Sequence, residues 1–154
     1  MDEAKTEVDL EAAKKAMLSG QSLTDHLNLP PELAKVLYAV AQGHFDARRF
    51  SEAKQACIYL VALDAKMRDA WALLGNCFMR EGEFQEALEA WSHALYVKPD
   101  FALAVQVTRT ALALKDPASA AVGLVAMQKQ GSSPEQLATC EEMADLLLAM
   151  NVPE

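Results

Sequence analysis

The strongest constraint in this chain is a spacing. Phe50, Glu52 and Ala53 return thirty-four residues later as Phe84, Glu86 and Ala87. Between and beyond them runs WALLGNCFMREGEFQEALEAWSHALYVKP, Trp71 to Pro99, with two apolar helical patterns, a glycine near each turn and a closing proline. A period of this length marks a stack of equivalent units. One helix pair cannot bury its apolar face alone, so neighbours must stack, and about three pairs are needed for a stable array. The expected fold is all-α.

The composition agrees. Hydrophobic residues make up 52% of the 154-residue chain and aromatics only 6%, so the apolar mass is Ala, Leu, Val and Met, which suits close-packed helices. The formal net charge of -8 repels phosphate backbones and argues against nucleic acid. No apolar run approaches the roughly 20 residues of a membrane span. The start, MDEAKTEVDLEAAKK, lacks the apolar centre of a secretory signal. The expected location is cytoplasmic. Cys57, Cys77 and Cys140 have no metal-ligand spacing and read as small buried residues on helices.

A short N-terminal helix is expected, with Leu10, Ala13 and Met17 near one face and Gly20 at its end. Ser22 and Asp25 resemble a capping box for a further turn. Residues 1–30 are expected to form a helical extension, and residues 31–154 the repeat domain. Helix one is predicted from Pro31 to Ala47, with Leu33, Val36, Leu37, Val40 and Ala41 inward. Helix two starts near Ser51 as N-cap and turns Ala53, Cys57, Leu60 and Val61 inward. Four further helices are expected over 68–80, 84–97, 101–114 and 117–130. A last one, capped by Ser133 with Pro134 at its first position, runs to Met150 and turns Cys140, Met143, Leu146 and Leu147 inward.

The central segment resembles the tetratricopeptide repeat. Trp71, Leu74, Gly75, Phe78, Ala87, Trp91, Ala94 and Pro99 stand at that repeat's Trp, Leu-Gly, Tyr, Ala, Phe, Ala and Pro positions and form the expected repeat core. The repeats are placed at about 34–67, 68–101 and 102–135. The first is degenerate, and the third keeps little beyond Ala121, again thirty-four after Ala87. The resemblance implies a superhelical solenoid of three stacked helix pairs, with a capping helix over 134–150.

In that architecture the first helices line a concave groove. The register nominates Tyr38, Gln42 and Phe45 from the first repeat. It nominates Ala72, Leu73, Asn76 and Met79 from the second, and Leu103, Gln106 and Thr110 from the third. The set is mostly apolar, with amides that could bond a ligand backbone. Adaptable Met and rigid Tyr both suit peptide recognition. Lysine and arginine stand at the edges, at Lys35 and Arg80, so a terminal carboxylate is not the expected ligand.

The order of features resembles a narrower family, the class II chaperones of type III secretion translocators. The similarity spans roughly residues 10 to 150. Its most specific pieces are Leu37-Tyr38, Phe50, Leu63-Asp64 and Leu74-Gly75-Asn76-Cys77. It implies a bacterial cytoplasmic chaperone that holds an extended segment of a hydrophobic, membrane-inserting translocator in the groove before export. It also implies a homodimer formed through the N-terminal region, and neither cofactor nor metal. Gln42 departs from the bulkier apolar residue the family tends to place there.

Two rival classes stay open: a generic tetratricopeptide adaptor and a needle-subunit co-chaperone. An enzyme is disfavoured. His26, His44 and His93 lie far apart in the register, with His44 at a packing position and the other two expected on the surface. No metalloprotease, nucleophile-elbow or phosphate-loop spacing occurs.

Overall fold

A computed structural model describes residues 30–150. The expectations for Leu10, Met17, Gly20, Ser22 and the dimerisation region fall outside them. Seven helices follow in order: α1 (Pro31–Asp46), α2 (Phe50–Leu63), α3 (Arg68–Arg80), α4 (Phe84–Val97), α5 (Phe101–Ala113), α6 (Pro117–Gln130) and α7 (Pro134–Met150). Among the described residues there is no strand. Helices α1 and α2, α3 and α4, and α5 and α6 pack as pairs, successive pairs stack, and α7 closes the end against α6 and α5.

The helix starts follow local chemistry. Pro31, Pro117 and Pro134 occupy first turns, where a missing N–H leaves nothing unpaired. Asp100 accepts from the Leu103 amide at 2.8 Å and Asp116 from the Ser119 amide at 3.1 Å. Ser133 Oγ accepts from the Gln136 amide, and the Gln136 side chain accepts in return from the amides of Ser132 and Ser133. This reciprocal arrangement is a capping box. Ser51 is not a cap: α2 begins one residue earlier, after Arg49, with no side-chain cap bond.

The turn inside each pair carries one residue in the left-handed region: Arg48 (φ 60°), Gly82 (φ 78°) and Lys115 (φ 58°). The following amide reaches back to the helix carbonyl five residues earlier in all three, Arg49 to His44, Glu83 to Phe78 and Asp116 to Ala111, at 2.8 to 2.9 Å. The turns are therefore equivalent. Gly82 follows Arg48 by thirty-four positions and Lys115 follows Gly82 by thirty-three, so the second period is shorter than the first by a single position. This corrects the third repeat. Ala120, not Ala121, is the counterpart of Ala87; Ala120 is fully buried and Ala121 exposed.

The core runs through the stack. Trp71, Leu60, Leu74, Val61, Val107 and Met127 are wholly buried, and so are Cys57 and Cys77. Trp71 Nε1 donates to the Ala65 carbonyl at 2.8 Å. The one polar atom of that indole is thus satisfied inside. His93 stacks on the same ring with centroids 4.6 Å apart, which draws it off the surface. Lys54 on α2 bridges to Glu81 and Glu83 at the turn between α3 and α4, at 3.1 and 3.0 Å. Burial lowers its pKa, but the hydrogen bonds and charges of Glu83 and Glu81 outweigh that and leave it raised. Arg68 pairs with Asp69 and with Asp100, tying the start of α3 to the cap of α5.

Three expected inward residues face outward. Val36, Val40 and Leu146 are 59%, 47% and 55% exposed. Helix α1 instead turns Ala34, Leu37, Tyr38, Ala41 and Phe45 toward its neighbours. Pro99 is exposed and serves the turn before α5 rather than the core.

Candidate peptide groove

The first helices of all three pairs meet at one cavity of about 680 Å³. Its lining is Phe45 from α1, Asn76, Met79 and Arg80 from α3, Trp91 from α4 and Gln106 from α5. The groove nominees Phe45, Asn76, Met79 and Gln106 are thus brought together. Trp91 Nε1 donates to the Ala72 carbonyl and to Asn76 Oδ1, each at 3.2 Å, so Ala72 supports the wall through its backbone.

Tyr38 and Gln42 lie on α1, two turns and one turn before Phe45. The Tyr38 hydroxyl sits 3.5 Å from Gln42 Oε1, and Gln42 Nε2 donates to Asp46 at 3.0 Å. Tyr38 is half-buried, and its pKa is raised, first by that burial and then by the nearby Asp69 charge. Its hydroxyl stays protonated at neutral pH and can donate or accept.

Three nominees, Leu73, Leu103 and Thr110, are 4%, 6% and 8% exposed and do not line this cavity. For Thr110 the shorter second period is the reason. With thirty-three positions between equivalent sites, the counterparts of Ala72, Asn76 and Met79 are Val105, Arg109 and Leu112. Arg80 is a second correction: it lines the middle cavity instead of standing at an edge. Sequence spacing alone missed Arg80 and Trp91 as lining residues. The signal for Arg80 lay in its place at the last turn of α3, directly after Met79.

Two further clefts lie along α4 and share Ser92 and Tyr96. The first, of about 510 Å³, adds Leu88, and the second, of about 370 Å³, adds Val122 and Val125 from α6. No group of three or more potential metal ligands occurs among the described residues. None of the described helices is long and apolar enough to cross a membrane.

Residues 69–101, which hold α4, the turn before it and nearly all of α3, match the tetratricopeptide repeat family. The fold is a tetratricopeptide-repeat solenoid. No curated protein matches the chain. Among solved structures, the chain resembles the type III secretion chaperone SycD of Yersinia enterocolitica in complex with a peptide of the translocator YopD. The TM-score is 0.62 at 19% identity, over 79% of this chain and 94% of that one. It resembles a type III secretion complex from Aeromonas hydrophila at TM-score 0.67 and 18% identity, over 91% and 95%. It also resembles PcrH of Pseudomonas aeruginosa in complex with the chaperone-binding region of PopD, at TM-score 0.61 and 21% identity, over 79% and 93%.

Proposed function

We propose that this solenoid is a cytoplasmic chaperone for hydrophobic, membrane-inserting translocators of a bacterial type III secretion system. It holds an extended client segment across α1, α3 and α5 until export. The observation that carries the reading is the shared cavity of the three first helices, on a fold otherwise seen in SycD with a YopD peptide and PcrH with a PopD segment. The net negative charge keeps a complex with a sticky client soluble, because like-charged complexes repel one another. Binding needs no chemistry on the client, so the protein acts as a holder and not as an enzyme. Residues 1–30 form the extension through which two copies associate, and residues 31–154 form the binding domain.

Co-expression with a membrane-inserting translocator tests this. The wild type should keep the client in the soluble fraction. Met79→Glu combined with Gln106→Glu should lose it while the far-ultraviolet circular dichroism spectrum is unchanged. A client that stays soluble with the double variant would move the binding surface elsewhere, and a client never retained would remove the chaperone reading.

A further inference from the structure

We infer that the central cavity of the groove takes an acidic side chain of the client, an internal Asp or Glu, between the apolar anchors on either side. This rests on the groove reading above and adds the chemistry of its middle position. Half of the cavity wall is apolar, Phe45, Met79 and Trp91, and half is polar, Asn76, Arg80 and Gln106. The polar half is biased toward donors. An indole N–H can only donate. The atom of Asn76 that meets Trp91 Nε1, at 3.2 Å, is therefore its oxygen. That leaves the Asn76 amide nitrogen as the end available to a ligand. Gln106 is exposed and its amide can turn either way.

Arg80 supplies the charge. Its guanidinium stands 5.9 Å from the centroid of Phe50, and Phe50 packs edge-on against Phe45 at 5.3 Å. The cation is thereby held at the cavity wall by an aromatic stack, a favourable arrangement for arginine. Among the described residues Arg80 forms no ion pair. The carboxylates nearest to it in sequence are committed elsewhere: Glu81 and Glu83 to Lys54, at 3.1 and 3.0 Å. Asp46, beside Phe45, accepts from Gln42 at 3.0 Å. A donor set with an unshared cation complements a carboxylate.

The test uses the full chain and a positional-scanning library of nonapeptides, acetylated and amidated so that no terminal charge competes. The wild type should enrich Asp and Glu over Asn and Gln at one position by about fivefold, the scale of a partly exposed ion pair, flanked by positions that enrich apolar residues. Arg80→Gln should abolish the acidic preference and keep the apolar ones. Arg80→Glu should reverse it in favour of Lys. Raising the salt concentration should weaken it, since exposed charges are screened. Apolar enrichment without an acidic position, or an acidic preference that survives in Arg80→Gln, overturns this inference and leaves the groove reading standing. Enrichment at no position removes both.

Discussion

Gly75 and Trp91 are one packing unit: a methyl group on Gly75 would fall 2.3 Å from Trp91 Cδ1 and 2.4 Å from its Nε1. The glycine lets α3 and α4 approach until the indole lies across the helix and reaches the Ala72 carbonyl. Gly75→Ala should therefore cost about 1–3 kcal/mol, the usual range for overpacking. Trp91→Leu alone should also destabilise, by opening a cavity. The two together should cost less than their sum, because a smaller partner relieves the clash. The third repeat carries this solution, with Thr108 at the position of Gly75 and Leu124 at that of Trp91. Urea denaturation of the four proteins checks it; strict additivity would mean that the clash is relieved by backbone movement.

Leu73 and Met79 separate core from groove within one helix. Leu73→Glu buries a carboxylate with no partner and should unfold the stack, seen as loss of the cooperative thermal transition. Met79→Glu places the charge on the cavity wall and should shift stability by less than about 1 kcal/mol. Equal effects of the two variants would show that the cavity wall is packed as tightly as the interior.

The three turn positions differ in one atom's cost. Arg48 and Lys115 adopt the left-handed conformation that Gly82 adopts without a Cβ penalty. Gly82→Ala should lose about 1 kcal/mol. Lys115→Gly should gain up to about 1 kcal/mol, reduced by the greater freedom of glycine in the unfolded chain. Thermal melts of both variants decide the sign.

Asp116 gives α6 a pH-dependent start. Hydrogen bonds from the Ser119 hydroxyl, at 2.6 Å, and from the Ser119 amide hold its pKa below the ordinary value of 3.8. A depressed folded pKa contributes stability that is present above the unfolded value and lost as pH falls through the folded one. Asp116→Ala should cost about 1 kcal/mol at neutral pH. The difference from wild type should shrink below pH 3.8. Chemical denaturation at neutral pH and again in acid below that value measures both arms.

Much of this architecture is legible in the residue order. The starts at Pro31, Arg68, Phe84, Phe101, Pro117 and Pro134 follow from prolines, cap residues and a period near 3.6, all of which act within a few residues. The second repeat is legible for the same reason. Its helices pack chiefly on each other and on α2 and α5, and Trp71, Leu74, Phe78, Ala87, Trp91 and Ala94 are buried as the repeat pattern predicts. The cysteines are equally local in character. Cys57 and Cys77 lie buried together, and the hydrogen bond to Cys77 and burial push the Cys57 thiol up.

Residue order is therefore enough for the helices of residues 31–150 and for their pairing into a stack. Local propensity and apolar periodicity are sufficient for that. Which faces those helices share depends on packing between them. Dropping one residue from a repeat rotates every later position by about 100° around its helix, which moved Ala121 outward and set Arg109 in place of Thr110 in the groove register. Burial of Leu73 and Leu103, exposure of Val36 and Val40, and the entry of Arg80 into the central cavity depend on neighbours more than a helix away. No local pattern encodes those distances.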